Sequence, residues 1–252
     1  MAGNNDRRFD DLTFDGFRQL ARDDSLSPHE RIGFPDAYRG GKGPAILRDI
    51  QQKLTNLSAE GQTVLDVGPG CGELAQLVIA LCERQRHRLI LIDSAEMLDR
   101  LPSLPFITKI PAAYPAECRA ALAELRGTVD ALLVYSVFQY IFREASAFDF
   151  LDSSLELLAP GGQLLIGDIP NSSQRNRFLS SAAGVRYHQQ LTGTDSQPPV
   201  HVNALLAGQL DDAVVFSLVQ RSRNFGFHGY IVPQAADLPM ANRREDVLIL
   251  RP

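Results

Sequence analysis

Asp66, the alternate glycines Gly68, Gly70 and Gly72, Glu73 and the downstream Asp93 combine residue types and spacing that could hold a ligand. Alternating glycines let the backbone adopt conformations a Cβ would block, so a ligand can lie against the main chain. Free N–H groups at the start of a following helix complete a nucleotide-type crevice. An acid about twenty residues past such a turn, at the end of the next strand, accepts hydrogen bonds from ribose hydroxyls. Asp93 has that position, although Asp at such a junction also commonly caps a helix, here 94–101. Two phosphate-cradling alternatives are excluded. The dinucleotide fingerprint needs its third glycine where this chain has Glu73, and no Gly-Lys-Ser/Thr ending follows.

These residues need a strand, a tight turn and a helix, and the chain supplies them. Thr63-Val64-Leu65-Asp66-Val67 runs into Gly68-Pro69-Gly70-Cys71-Gly72 and then an apolar helical pattern. The stretch resembles the first motif of class I S-adenosylmethionine-dependent methyltransferases, which often reads valine-leucine-aspartate-valine-glycine-x-glycine-x-glycine. The resemblance implies S-adenosylmethionine as cofactor, with Gly68, Pro69, Gly70 and Gly72 beneath its methionine part and Asp66 near its amino group. A sulfonium-bearing zwitterion without phosphate suits a loop followed by Glu73. Asp93 and Ser94 are then expected at the ribose, and Met97 against the adenine or in the core.

Further apolar runs predict the rest of a sheet: Leu89–Ile92, Phe106–Ile110, Val129–Tyr135, Gln163–Ile169, Phe225–Val232 and Asp246–Leu250. Many of these methyltransferases carry an acid after the third strand that bonds the adenine amino group. None is found nearby here, and backbone groups of Ile110 to Ala112 are expected in its place. Tyr135-Ser136-Val137-Phe138-Gln139-Tyr140-Ile141 resembles the family's fourth motif in its small-molecule members, making Tyr135 and Ser136 candidate cofactor contacts. The Asp/Asn-Pro-Pro-aromatic signature of nucleic-acid amino-methyltransferases is absent. Ala159-Pro160-Gly161-Gly162 before the fifth strand fits the family's pattern, and Asp168 follows at the sheet edge as a base, a substrate-orienting group or a loop anchor.

Two segments lie outside this frame. Residues 1–58 carry a helical pattern over 11–22, then a turn-rich stretch with Ile32, Phe34 and Tyr38, read either as a linker or as a flap bringing Tyr38 and Arg39 to the ligand. Residues 172–210 read as a cap inserted after the fifth strand. There Arg175, Arg177 and Arg186 are candidates to grip an anion, and His188 and His201 to take a proton.

A chain of 252 residues with 44% apolar and 22% charged side chains is globular. Its net charge of -5 argues against general nucleic-acid binding. Cys71, Cys82 and Cys118 lack metal spacing, and neither a leader nor a long apolar span is evident, so a reduced, cytoplasmic protein off the membrane is expected. The reading is an α/β, Rossmann-like, seven-stranded, mostly parallel sheet with helices on both faces, an antiparallel last strand and a helical cap. A flap at 1–58 precedes a methyltransferase domain at 59–252. Expected chemistry is methyl transfer to an oxygen or nitrogen of a small molecule, without a metal and with homodimerisation left open. Ile32–Tyr38 together with Gly167–Asn171 are similar to methyltransferases of bacterial surface-glycan clusters, which points to a sugar or nucleotide-sugar acceptor. Two alternatives are a catalytically silent cofactor-binding subunit and an aminopropyl transferase. The latter lacks its expected paired carboxylates, where Tyr135 and Ser136 stand.

Overall fold

Alternation of apolar side chains along the central strands builds two cores, one on each face of a seven-stranded sheet. The computed structural model describes residues 12–35, 39–202 and 208–252. Strands β1 (Thr63–Val67), β2 (Arg88–Asp93), β3 (Ile107–Pro111), β4 (Val129–Tyr135), β5 (Leu158–Pro170), β6 (His228–Pro233) and β7 (Arg244–Leu250) lie in the order β3-β2-β1-β4-β5-β7-β6. β7 alone runs antiparallel, inserted between β5 and β6. The chain therefore has the expected sheet, and its strand order reverses between β1 and β4, where open α/β sheets bind ligands.

Strand parity decides what meets the carboxyl edge. Leu65, Val67, Ile92 and Val134 face the core that holds Phe138 and Phe150, both fully buried. Val64, Leu91 and Leu133 face the other, packed by helices α1 (Gly43–Lys53) and α2 (Glu73–Arg84). Asp66, Asp93 and Tyr135 belong by parity to this second face.

Two differences from the sequence reading have plain causes. β5 starts at Leu158, because Ala159–Gly162 fold out while Leu158 pairs with Val129 and Gln163 with Ala131. A helix, Phe138–Glu144, follows β4 where only a strand end was expected. Its buried Phe138 and Ile141 lie three residues apart on one face.

The N-terminal segment crosses the carboxyl edge. Its helix Phe14–Arg22 is capped by the Thr13 hydroxyl, which accepts from Gly16 N at 3.1 Å. Arg18 and Arg22 both pair with Glu96, and Phe14 N donates to the Glu144 carboxylate. The Phe17 ring meets Tyr140 edge-on at 4.7 Å. Residues 172–210 contribute helices Ser172–Leu179 and Ala182–Thr192, which contact the segment before β7: Gln174 Nε2 donates to Ala241 O, and Arg243 donates to the Tyr187 hydroxyl. No described helix is long and apolar enough to cross a membrane.

Candidate functional site

The glycine loop is shaped by what covers it. Gly68 and Gly70 have φ of +70° and +63°, the left-handed region that favours glycine. A Cβ on Gly68 would stand 2.6 Å from Val137 Cγ2, and one on Gly70 would stand 2.7 Å from Ile32 Cγ2. The N-terminal segment thus rests directly on the loop. Glu73, the residue that argues against a pyrophosphate, accepts from Gly43 N at 3.1 Å and ties the loop's helix to α1.

Asp93 closes the loop's other side. Its Oδ2 accepts from Gly70 N at 2.9 Å and its Oδ1 from Ser94 N at 2.7 Å. Burial raises its carboxyl to about 6, against the lowering effect of those two bonds. Asp66 is buried behind it, and burial, reinforced by the Asp93 charge, pushes it to about 8. Asp93 is not the helix cap; the Ser94 hydroxyl is, accepting from Met97 N at 3.3 Å.

A cavity of about 360 Å³ opens at this edge, within the size range of small-molecule sites. Gly68, Pro69, Gly70, Gly72, Asp93, Met97, Tyr135 and Ser136, all expected at the cofactor, line it. Asp66 and Ser94 do not: the first lies beneath the loop, and the second has its hydroxyl engaged in the cap. Tyr38 lies outside the described residues. The roof is N-terminal, from Phe14, Phe17, His29, Ile32, Phe34 and Arg39. His29 Nδ1 is buried and has no partner among the described residues. Beyond β3, Ala112 and Ala113 form part of the wall, with Glu117 held beside them by a 2.8 Å bond from Ala113 N.

None of the three expected proton acceptors, Asp168, His188 and His201, lines the cavity. No described residue of 172–210 lines the cavity. His188 faces Ser196 at 3.2 Å, while His201 is exposed and accepts from Asn176 through its backbone oxygen. Both belong to a segment whose helices pack against the chain just before β7. Asp168 is 3% exposed, has φ of +60° and is also absent from the wall. Its Oδ2 accepts from Arg39 at 2.5 Å, Arg244 at 2.8 Å and Ser136 Oγ, and its Oδ1 accepts from Gln234 at 3.3 Å. Burial pushes its pKa up, but Arg244, Arg39 and these hydrogen bonds prevail and hold it below the usual carboxylate range. A carboxylate so stabilised is a poor base and a good anchor.

The anchor continues inward. Asp168 N donates to Asp246 Oδ1 at 2.8 Å, and Asp246 Oδ2 pairs with Lys53 at 2.7 Å. Lys53 also pairs with Asp49 at 2.5 Å, so three acids and three bases balance in a largely buried network. The sequence reading missed Asp49, Lys53, Gln234, Arg244 and Asp246. An acid directly before the apolar run Val247–Leu250 was the available signal for Asp246. Among the described residues no group of three or more His, Cys, Asp and Glu side chains could hold a metal.

No family model matches the chain, and no curated protein matches it by sequence. Solved structures do. The plantazolicin methyltransferase BamL, in complex with a triazolic desmethylPZN analog and S-adenosylhomocysteine, is similar at a TM-score of 0.58 and 13% identity, over 94% of this chain and 96% of that one. The N-methyltransferase NodS from Bradyrhizobium japonicum WM9, also with S-adenosylhomocysteine, gives 0.54 and 15%, over 96% and 100%. A SAM-dependent methyltransferase from Aquifex aeolicus gives 0.52 and 16%, over 89% and 98%. At such identities the likeness is one of fold, and this chain has the class I S-adenosylmethionine-dependent methyltransferase fold.

Proposed function

We propose that the protein is an S-adenosylmethionine-dependent methyltransferase acting on an oxygen or nitrogen of a small molecule. The observation that carries this reading is the cavity bounded by the glycine loop, Asp93 and the end of β4. Its residues suit the cofactor: Gly68 and Gly70 present main chain where a Cβ would collide, and Asp93 offers a carboxylate at the wall. Two of the three similar structures above were solved with S-adenosylhomocysteine, the demethylated product.

The cofactor supplies a methyl group activated on a sulfonium. The chain's own part is alignment and water exclusion, through the glycine loop beneath and the N-terminal roof above. His29 is the imidazole on the cavity wall and the candidate to take a proton from the acceptor, in place of Asp168, His188 and His201. Phe14, Phe17, Phe34 and Tyr140 favour an acceptor with an apolar face. A phosphorylated or nucleotide-linked sugar draws no support from the arginines, since Arg175, Arg177 and Arg186 are off the wall and Arg177 is paired with Asp212.

Calorimetry with S-adenosylmethionine and S-adenosylhomocysteine tests the reading. Both are expected to bind, and binding of neither would overturn it. Binding without turnover across a panel of amines, phenols and sugars would instead favour the silent subunit.

A further inference from the structure

The acids of the cavity divide into two groups. Glu73 and Asp93 belong to the glycine loop, whereas Glu117 and Glu144 line the cavity and are exposed, and Asp149 lines it half-exposed. A side chain that lines a cavity and also reaches solvent stands at its mouth. Asp149 is paired with Arg119 at 2.7 Å. Glu117 and Glu144 have no cationic partner among the described residues: Glu117 accepts from Ala113 N at 2.8 Å, and Glu144 accepts from Phe14 N at 3.1 and 3.2 Å. Arg39, the one arginine or lysine on the described wall, is engaged by Asp168 at 2.5 Å. Aromatic rings gather beside the same acids. Tyr140 and Glu144 lie four residues apart on the helix Phe138–Glu144 and so share a face. Phe17 meets Tyr140 edge-on, and Phe14, bonded to Glu144 through its backbone, precedes Phe17 by three residues on one helix. All three rings line the cavity. Ring faces attract a cation through their quadrupole while their bodies bury apolar surface, and a cleft rimmed by one sign of charge draws in the opposite sign. Carboxylates and rings thus select for the same ligand.

We infer that the methyl acceptor is a cationic small molecule, an amine whose ammonium group rests at the mouth beside Glu117 and Glu144 and whose apolar or aromatic body passes among Phe14, Phe17 and Tyr140. The inference rests on the methyltransferase reading above and narrows its acceptor by charge. It fixes the end of the acceptor that faces solvent, while the oxygen or nitrogen that is methylated lies deeper, toward the glycine loop. Anionic acceptors, carboxylates and phosphates alike, are repelled at the entrance.

The test uses three probes with one body and different charge: tyramine, tyrosol and 4-hydroxyphenylacetate, which end in an ammonium, a hydroxyl and a carboxylate. Each is titrated by calorimetry into protein saturated with S-adenosylhomocysteine. Tyramine is expected to bind roughly 5- to 100-fold more tightly than tyrosol, the range of a few exposed charge and cation–π contacts, and 4-hydroxyphenylacetate most weakly. Added salt should shrink the preference for tyramine and leave tyrosol unchanged. Glu117→Gln and Glu144→Gln are each expected to reduce that preference about 2- to 5-fold. Glu156→Gln, which removes an acid paired with Arg126 away from the cavity, should not change it. Equal binding of tyramine and tyrosol by the wild type overturns the inference without any variant, as does tighter binding of the carboxylate or binding of none of the three. A preference that survives the double variant Glu117→Gln/Glu144→Gln also overturns it. Failure of S-adenosylhomocysteine itself to bind is a different result, the failure of the cofactor reading.

Discussion

Gly70 donates its backbone N–H to Asp93 Oδ2 at 2.9 Å, so the glycine loop and the end of β2 share one carboxylate. That carboxylate is also the expected acceptor of ribose hydroxyls, and it must be ionised to accept well. With its pKa raised to about 6, it is charged at pH 7.5 and mostly protonated at pH 5.5. Affinity for S-adenosylhomocysteine should therefore fall about fourfold between those values, from the loss of the ionised fraction. Asp66, raised to about 8, stays mostly protonated across this window. Asp93→Asn should bind at least about tenfold more weakly and lose the pH dependence. A wild-type affinity that is flat from pH 5.5 to 7.5 would remove Asp93 from the ligand.

Asp168 separates an anchor from a base. Replacing it by Asn leaves Arg39 and Arg244 without the carboxylate they share, and breaking such a buried pair costs about 3 to 5 kcal/mol. For a chain of this length that lowers the melting temperature by roughly 6 to 20 °C. The low pKa works in the same direction. The pair's stabilisation is present above the unfolded carboxylate's pKa and is lost as pH falls through the depressed folded value. Thermal melts of Asp168→Asn at neutral pH give the answer: an unchanged melting temperature with turnover abolished would restore the catalytic role.

What the sequence disclosed follows from how local its signals are. Buried parallel strands announce themselves as apolar runs, and the glycine loop as three residues with one conformational need, so β1, β2, β4 and the loop between β1 and its helix were readable. The roof was not. Phe14 and Phe17 register only as an apolar helical stripe, and nothing local says that the stripe faces a cavity. Nor does anything local say whether the arginines and His188 of 172–192 face a cavity, and none of them lines the one at the glycine loop. The charge network of Asp49, Lys53, Asp168, Arg244 and Asp246 joins residues up to 197 apart in sequence, and no spacing rule reaches that far.

Gly70 and Ile32 should be energetically coupled. Gly70→Ala places a methyl 2.7 Å from Ile32 Cγ2 and holds a non-glycine residue at φ +63°. The backbone strain costs roughly 1 to 2 kcal/mol, and the clash adds to it. Ile32→Ala removes the clashing methyl and leaves the strain. In urea denaturation the double variant should be more stable than the sum of the single effects by about 0.5 to 2 kcal/mol, the range for side chains in contact. Strict additivity would mean that the N-terminal segment does not rest on the loop in solution.

Asp66 makes a prediction of opposite sign to Asp168. Its carboxyl is raised by burial, and further by Asp93, from an ordinary 3.8 to about 8. Between those values the folded protein retains a proton that the unfolded chain has released, so stability falls as pH rises through the window. Asp93 is half ionised at about pH 6 and largely ionised by about pH 7, which leaves the upper part of the window to Asp66. Asp66→Asn keeps the shape and cannot ionise. Its stability relative to wild type should improve from pH 6 to pH 8 by up to about 2 to 3 kcal/mol and level off above that. Denaturant midpoints at pH 6, 7, 8 and 9 measure the difference. A constant difference across that range would mean that Asp66 is solvated in the folded protein, and the raised carboxyl behind the glycine loop would be lost with it.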